Sequence, residues 1–462
     1  MKLWKQLRER MMRYPERTVK EGKASMTYEE LVIFAEASAE RFPKVPCMGI
    51  FCESELASAI GVLACFAAGI PVIPLPRRYG KEPCLKIIER AQIPMVFTDN
   101  GSAFRLVKLP SEGPKRIPDG VAAILFTSGS TGAPKGAMLT DDNLLANIES
   151  ICDYYPVCDR DKVLIARTLY HSSALTCDLL ASLWKGADIV FAPGQFQPLQ
   201  ILRLMQDEGI TAFGSTPSLV ATLAAFSHRF TNEVRLLSVS GECMTEGAAK
   251  KIRNGFPDAD VYCGYGLTEA SPRVAYLPAN LFDIRPTATG IAVRGVRCAL
   301  VDESGKEITT PNLLGELIVQ GKNVMLKYYD DAKQTRAKKK NGWLYTGDIA
   351  RIDENGILYV VGRKDGMIIR GGMNIYPAEI ENALSADPRV TEVLAYGYSE
   401  NNTQGIGLQI SGQFESQSDV ATLCKELLPP YQLPSKIELL DHLDHGVTGK
   451  KKRRITNDAD GM

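Results

Sequence analysis

The amino-acid sequence predicts an α/β protein: a large N-terminal domain of stacked α/β subdomains plus a small β unit, followed by a small α+β C-terminal domain. The first observation is length, because a chain of 462 residues is too long for a single hydrophobic core. The second is alternation of short apolar runs with amphipathic stretches, which is typical of α/β layers. Such runs occur at 121–126, 163–166, 189–192 and 236–239.

An uncharged stretch from Leu56 to Pro76 is the first element that the sequence specifies. It is long enough for a membrane helix. However, Gly69 and the prolines at 71, 74 and 76 end a helix early and suit a short buried strand. The sequence therefore predicts a buried helix over 56–67, a stop at Gly69 and then a strand, and no membrane span.

Composition and charge exclude several classes of protein. Lysine and arginine number 54, as do aspartate and glutamate, so no net charge favours general nucleic-acid binding. The 11 cysteines are scattered, without a CxxC pair, which argues against a disulfide framework or a structural zinc site. The charged N-terminus lacks the apolar stretch of a signal peptide. We therefore expect a cytoplasmic protein.

The pattern changes to short strands and turns from about residue 287. Asp302–Gly305 and Asp353–Gly356 have the composition of hairpin turns. Further on, Pro377 stands where a helix would begin, with acidic residues after it. We expect an N-terminal domain over 1–364, with the β-rich unit at about 287–364, and a C-terminal domain over 365–462. The strands expected in the β-rich unit are 299–301, 315–319, 345–352 and 357–361.

A loop rich in glycine and hydroxyl groups carries the strongest local signal. It reads TSGSTGAPKG and lies between two apolar runs, 121–126 and 137–139. Glycines let backbone N–H groups turn inward, the hydroxyls add donors and Lys135 adds a cation, which suits an oligophosphate. It lacks the spacing of a Walker A loop. A flexible linker is the alternative, and the flanking strands argue against it. The residues expected to contact the nucleotide here are Thr127, Ser128, Gly129, Ser130, Thr131, Gly132 and Lys135.

This loop resembles the phosphate loop of the adenylate-forming superfamily, which contains acyl-CoA and aryl-CoA ligases, luciferases and nonribosomal peptide adenylation domains. The chain is most similar to the acyl-CoA ligase-like branch, and the resemblance covers nearly its whole length. One departure lies at 444–448, where the proline and arginine usual in the family are absent. Other matching segments, in the family's order, are CFAAGIPVIPLP at 65–76, YCGYGLTE at 262–269, WLYTGD at 343–348, GRKDGMIIRGGMNIYPAEIE at 362–381, and Gly449-Lys450 followed by Arg453.

The YGLTE segment has residue types suited to nucleotide binding. Tyr265 offers a flat ring for stacking on adenine, and Gly266 permits close approach of the backbone. Thr268 is a small donor for a phosphate oxygen, and Glu269 is a hard oxygen ligand for Mg²⁺. Without the resemblance, Thr268 and Glu269 would indicate only a helix cap. The resemblance implies that they act in catalysis and that the adenine pocket is lined by Gly241, Glu242, Cys243, Cys263 and Gly264.

The resemblance assigns the ribose contact to Asp348 and Arg363. A carboxylate accepts from both ribose hydroxyls in other nucleotide-binding folds. Asp365 falls at the family's hinge, about which a mobile small domain swings between two poses. One pose presents Lys450 for adenylation. The other presents the loop of Gly371 and Gly372, which the resemblance places along the thiol tunnel.

His171 occupies the place where ligases for simple acids have a histidine beside the acyl pocket. Amino-acid adenylation domains have an aspartate there that holds the α-ammonium, so a carboxylic acid without an α-amine is favoured, although Asp178 lies not far off. Gly214 and Gly266 complete the expected substrate pocket. Such small residues indicate that the pocket has some depth.

The resemblance implies a reaction in two steps, with ATP, Mg²⁺ and a thiol. A small-molecule carboxylic acid attacks the α-phosphate of ATP, giving acyl-AMP and pyrophosphate. The thiol of CoA or phosphopantetheine then releases AMP and forms a thioester. Three alternatives stay open: an enzyme that loads an acyl or peptidyl carrier protein, an amino-acid-activating enzyme, and a non-catalytic nucleotide-binding protein. The sequence does not specify the acid or the oligomeric state.

Overall fold

The protein is described from a computed structural model, which covers residues 1–100, 103–111, 113–114, 117–127, 134–194, 197–370, 373–400 and 403–444. The helices of these residues are α1 Lys2–Met11, α2 Tyr28–Arg41, α3 Glu55–Ala68, α4 Lys81–Ala91, α5 Asp141–Tyr154, α6 Ala181–Lys185, α7 Pro198–Glu208, α8 Pro217–Ala224, α9 Glu246–Gly255, α10 Ala332–Lys338, α11 Pro377–Ser385 and α12 Gln417–Leu427.

The strands are numbered in chain order in the same way. They are β1 Thr18–Glu21, β2 Ala24–Thr27, β3 Met48–Phe51, β4 Val72–Pro74, β5 Met95–Asp99, β6 Phe104–Lys108, β7 Val121–Thr127, β8 Lys135–Thr140, β9 Lys162–Ile165, β10 Asp188–Phe191, β11 Ala212–Ser215, β12 Leu236–Ser240, β13 Asp260–Gly266, β14 Arg273–Leu277, β15 Ile291–Ala292, β16 Val296–Val301, β17 Gly315–Gly321, β18 Lys327–Tyr328, β19 Lys339–Lys340, β20 Trp343–Ile352, β21 Leu358–Arg363, β22 Ile368–Arg370, β23 Met373–Ile375, β24 Val390–Glu400, β25 Thr403–Gly412 and β26 Lys436–Leu439.

Two large mixed sheets form the first part of the protein. One has the strand order β15-β14-β13-β12-β11-β9-β10-β1-β2, and the other β18-β8-β7-β4-β3-β5-β6. The inner strands of both sheets pair in parallel, and antiparallel strands close the edges. One hydrophobic cluster contains residues of both sheets and of helices α1, α3 and α5, so helices fill the space between the sheets. The predicted α/β layers are confirmed.

The helix expected over 56–67 is α3, and Gly69 ends it in a left-handed conformation with φ of 72°. The strand β4 follows, as the sequence predicted. Within the described residues, no helix combines the length and the apolar character needed to cross a membrane.

The β-rich unit is a separate five-stranded sheet with the order β16-β17-β20-β19, in which β21 pairs with the other part of β20. The predicted turn Asp353–Gly356 joins β20 and β21 as a hairpin. The predicted turn Asp302–Gly305 also forms, but it closes only a single bridge between Val301 and Glu307. After this unit in the sequence, a separate hydrophobic cluster contains residues of β22 to β25 and of α11 and α12. Pro377 begins α11, as expected.

A pair of buried asparagines fixes β14 against its neighbours. Asn147 accepts from the backbone N–H of Arg273 at 3.2 Å and donates to its carbonyl oxygen at 2.9 Å. Asn323 donates to the same carbonyl, also at 2.9 Å. Because Asn147 and Asn323 are 0% and 2% exposed, these bonds replace hydration that the strand has lost.

We expect Asn147→Ala to lower the free energy of unfolding by about 2 kcal/mol, because it leaves a buried N–H without its acceptor. Urea denaturation measures this loss. The control is Asn355→Ala in the exposed turn, which should change stability by less than about 0.5 kcal/mol. Equal losses in the two variants would contradict a clamping role for Asn147.

Candidate active site

The glycine-rich loop joins the two strands of a hairpin. Thr127 at the end of β7 pairs with Lys135 at the start of β8, so the two residues lie side by side. Residues 128–133, which include the predicted Ser128, Gly129, Ser130, Thr131 and Gly132, lie outside the described residues. The hydroxyl of Tyr170 donates to the carbonyl of Phe126 at 2.7 Å. The segment that carries His171 is therefore attached to the base of the hairpin.

Glu269 is held against the same hairpin. It lies in a single turn of 3₁₀-helix, Thr268–Ala270, that follows β13. The hydroxyl of Tyr328 donates to its Oε1 at 2.6 Å, and Tyr328 pairs with Ala137 of β8. Thr268 lies on the other side, with its hydroxyl 3.4 Å from that of Ser172. The tyrosine thus fixes the distance between the predicted magnesium ligand and the strand of Lys135.

The donor set around Glu269 fits Mg²⁺ only if the nucleotide supplies the other ligands. Among the described residues, no three acidic, histidine or cysteine side chains cluster as a metal site. Mg²⁺ commonly binds one or two carboxylates together with substrate phosphates and waters. A single carboxylate, that of Glu269, beside a predicted phosphate loop agrees with this mode of Mg²⁺ binding.

Asp348 and Arg363 stand opposite each other on β20 and β21. The guanidinium Nη1 lies 3.4 Å from Asp348 Oδ1. The hydroxyl of Tyr265 donates to Asp348 Oδ2 in a short hydrogen bond. Burial raises the pKa of Asp348, and the bond from Tyr265 and the charge of Arg363 oppose that rise. The hydroxyl of Tyr265 therefore binds Asp348, a contact that the predicted stacking of the Tyr265 ring on adenine did not include.

The predicted hinge residue also contacts this group. Arg363 donates from Nε and Nη2 to the two carboxylate oxygens of Asp365, at 3.1 and 3.2 Å. The bidentate bond lowers the pKa of Asp365 and raises that of Arg363. One arginine thus connects the predicted ribose site with the predicted hinge. Gly371, Gly372 and Lys450 lie outside the described residues.

Lys338 is a cation that the sequence did not single out. Its Nζ donates to the carbonyl of Thr346 at 3.0 Å, two residues before Asp348. Burial lowers its pKa, the charge of Arg363 adds to this, and the carboxylates of Glu269 and Asp348 oppose it. It belongs to the run Lys338-Lys339-Lys340, which has the composition of a solvated surface. Only the fold shows that Lys338 turns toward the carboxylates.

The predicted adenine-pocket residues meet at the carboxyl ends of two parallel strands. Gly241, Glu242 and Cys243 follow β12, and Cys263 and Gly264 lie on β13, whose Gly264 pairs with Ser240. Gly241 has φ of 101°, which favours glycine. Glu242 accepts from the hydroxyl of Ser218 at 2.7 Å. Ligands of open α/β sheets bind at such strand ends.

His171 has an aromatic setting that the sequence did not predict. The hydroxyl of Tyr79 lies 2.6 Å from its Nε2, and the rings of Tyr79 and Tyr170 lie 5.9 and 5.4 Å from the imidazole. Tyr79 is separated from His171 by 92 residues, so no local pattern indicated the contact. Its neighbour Ser172 contacts Thr268, which places His171 beside the YGLTE segment.

Charged side chains of other elements lie beside Gly214, which the sequence did not predict. A Cβ on Gly214 would lie 2.9 Å from Asp178 Oδ1 and 3.4 Å from Arg167 Nη2. The guanidinium of Arg273 fills the corresponding space at Gly264, where a Cβ would lie 1.8 Å from its Nη1. Glycine has no Cβ, and at both positions charged side chains from other elements occupy the space where a Cβ would be.

The part of the chain after the predicted hinge packs against α9. A Cβ on Gly247 would lie 2.1 Å from the carbonyl oxygen of Ser385 in α11, so the two helices meet closely. The side chain of Asn382 accepts from the N–H of Glu246 at 3.2 Å, and Lys251 donates to the carbonyl of Thr391 at 3.1 Å. These contacts hold α11 near the carboxyl end of β12.

Comparisons with known proteins agree on one family. Residues 7–329 match the AMP-binding enzyme family. A long-chain-fatty-acid–CoA ligase of Escherichia coli O157:H7 is 32% identical over 372 residues, 78% of this chain. The match spans only 64% of that ligase's own length. A 2-succinylbenzoate–CoA ligase of Bacillus subtilis is 26% identical over 94% of this chain and 93% of its own.

The structural comparison gives the same picture. An o-succinylbenzoate coenzyme A synthetase from Bacillus subtilis, solved with its acyl-adenylate intermediate, superposes with a TM-score of 0.82 at 25% identity. The match covers 96% of each chain. The same synthetase solved with ATP and a magnesium ion also has a TM-score of 0.82 at 25% identity, over 96% of this chain and 98% of that one.

We expect the pKa of Asp348 to lie above the ordinary value of 3.8 and to rise further in Tyr265→Phe, because that variant removes a hydrogen bond to the charged form. Carboxyl ¹³C NMR titration measures it. Tyr276→Phe, on β14 and away from Asp348, is the matched control. An unchanged or lower pKa in Tyr265→Phe would contradict the contact.

Proposed function

This chain belongs to the AMP-binding enzyme family, and we propose that it is an AMP-forming acid–thiol ligase. In the proposed reaction, a carboxylate attacks the α-phosphate of ATP and forms acyl-AMP with release of pyrophosphate. A thiol then attacks the acyl carbon, AMP leaves and a thioester remains. The observation that supports this best is the contact between three distant segments: the β7–β8 hairpin, the YGLTE segment and the strand of Asp348.

Each segment has a role suited to its chemistry. Lys135 and the loop at 127–132 would hold the β- and γ-phosphates. Asp348 and Arg363 would bind the ribose hydroxyls, and the strand ends at 241–243 and 263–266 would enclose adenine. Glu269 would hold Mg²⁺, which supplies positive charge to the phosphates. Thr268 would donate to a phosphate oxygen. Positioning and charge stabilisation then carry most of the catalysis.

Lys450 is proposed as the catalytic cation that bridges the carboxylate and the α-phosphate. An ammonium about 4 Å from developing charge contributes roughly 4 kcal/mol at an effective dielectric constant of 20. We propose that residues 365–462 form the lid that carries this lysine and that the chain turns at Asp365. The bond from Arg363 to Asp365 would then break or form as the lid moves. In the second pose Gly371 and Gly372 would line the path of the thiol.

The acid is proposed to lack an α-amine. His171 supports this, and so does the state of Asp178, the nearest candidate partner for an ammonium. Asp178 already pairs with Arg167 at 2.8 Å, and Arg273 adds further positive charge nearby. A substrate ammonium would therefore meet a neutralised carboxylate. This favours a plain carboxylic acid over an amino acid.

The thiol acceptor is proposed to be CoA, as the names of the acyl-CoA ligase relatives imply for those enzymes. A carrier protein presents the same phosphopantetheine thiol, so a panel of CoA and carrier proteins separates the two. We also propose a cytoplasmic location. The 11 cysteines are scattered along the chain without a CxxC pair, which suits a reducing compartment.

Exchange of ³²P between pyrophosphate and ATP tests the first step. With Mg²⁺ present, we expect exchange that depends on the added acid, in a panel of fatty, aryl, hydroxy, dicarboxylic and amino acids. Exchange with amino acids alone would contradict the proposed substrate class. The absence of exchange with every acid, in protein that still binds ATP, would contradict the ligase proposal.

We expect Lys450→Ala to slow acid-dependent exchange by about 10²–10³, the effect of removing one donor to developing charge. Lys452→Ala, two residues further along the same basic run, is the control and should retain nearly normal exchange. ATP binding by calorimetry should change little in either variant. Near-normal exchange in Lys450→Ala would refute the assignment.

A further inference from the structure

A buried cluster of charged side chains lies beside Gly214, a residue of the predicted substrate pocket, and Gly264. Arg167 and Asp178 form an ion pair of 2.8 Å, with side chains 11% and 6% exposed. Arg273 is 2% exposed, and its Nη2 donates to Cys177 Sγ at 3.4 Å. We call Arg167, Asp178 and Arg273 the cationic cluster.

The cationic cluster is built into the wall of the predicted pocket. Arg167 and Asp178 lie where a Cβ of Gly214 would point, and Arg273 lies where a Cβ of Gly264 would point. Arg273 also pairs with Gly266 of the YGLTE segment across β13 and β14. An acid bound at the predicted pocket residues His171, Gly214 and Gly266 would therefore lie next to this cluster.

The fold holds these side chains in place. Asn147 and Asn323 fix the backbone of Arg273, so its guanidinium cannot move away with its strand. Asp178 lies in a π-helical segment, Ala174–Leu180, that precedes α6. Such segments are rare and often occur at functional sites. Two separate elements thus aim charged groups at the same place.

The charges in the cluster do not balance. Two guanidinium groups face one carboxylate, and two further neighbours of Arg273, Cys177 and Tyr154, stay neutral because burial raises the pKa of each. The Nε atoms of Arg167 and Arg273 are buried without a hydrogen-bond partner, as are the hydroxyls of Thr176 and Ser215. Buried charge is unfavourable unless an opposite charge accompanies it. An anion would complete this cluster.

We infer that the acid activated here carries a second anionic group, most simply the distal carboxylate of a short dicarboxylic acid, which pairs with the exposed edge of Arg167 in front of Arg273. The inference rests on the proposed function, since it concerns the substrate of that cleft. A long apolar chain would have to pass through space that the guanidinium groups fill. Such a chain would also leave the excess positive charge unpaired.

Pyrophosphate exchange with acids of equal length tests the inference. The pairs are succinate against butanoate and adipate against hexanoate, with palmitate as the long apolar acid. We expect kcat/KM at least about tenfold higher for the dicarboxylate of the preferred length, because a site built for a polar group rejects the analogue that lacks it. Butanoate is also measured with added chloride and acetate. This shows whether a free anion from solution can replace the second carboxylate of the substrate.

Variants locate the selectivity. Arg273→Met should reduce the dicarboxylate preference by about tenfold or more, with a smaller effect on butanoate. If that variant does not fold, Arg167→Lys is tested instead. Lysine keeps the charge but lacks the planar guanidinium that binds a carboxylate through two N–H groups, so the dicarboxylate preference should fall. The control is Arg235→Met, which breaks an ion pair with Asp161 at the amino end of β12, away from the cleft. It should leave the ratio unchanged.

The outcomes separate the two proposals. Equal or better exchange with butanoate, hexanoate or palmitate would overturn the inference and leave the ligase function standing. Butanoate exchange that chloride or acetate raises to the succinate level would also overturn it, because the anion would then come from solution. No exchange with any acid in protein that binds ATP would overturn the ligase function and the inference together.

Discussion

The assembly of the candidate active site depends on the contacts made by the buried carboxylate of Asp348. Tyr265 bonds it from β13, and Arg363 pairs with it from β21 at 3.4 Å. Lys338 bonds the backbone two residues earlier, from the end of α10. A carboxylate that loses its hydration needs such partners. Its burial therefore keeps the β-rich unit, the YGLTE strand and α10 together, and Arg363 extends the link to Asp365.

Much of the fold followed from local patterns in the sequence. The helix α3 and strand β4 were predictable because Gly69 and the prolines after it stop a helix. The two strands that flank the glycine-rich loop were predictable because apolar runs lie on either side of it. The segments of the site were recognisable because each is contiguous. What joins the segments was not: Tyr328 to Glu269 and Tyr79 to His171 are contacts across 59 and 92 residues.

The acyl side shows the limit of such reasoning most clearly. Glycine at 214 and 266 indicated a pocket of some depth, because a missing side chain creates room. Which other side chains enter that room depends on strand pairing and on the π-helical segment, and neither has a sequence pattern that would have shown it. Arg167 was not singled out by the sequence, and Asp178 was noted only as a possible partner for an α-ammonium. Together with Arg273 they place charged groups beside Gly214 and Gly264.

The most direct test of the central claim is the fate of the substrate's own oxygen. An acid accepted in pyrophosphate exchange is labelled with ¹⁸O in its carboxylate and incubated with enzyme, ATP, Mg²⁺ and CoA, and the products are analysed by mass spectrometry. If the carboxylate attacks the α-phosphate, one ¹⁸O atom per turnover remains in AMP after the thiol displaces it. We expect labelled AMP and unlabelled pyrophosphate. Label in inorganic phosphate, with ADP as the other product, would contradict an adenylate-forming reaction.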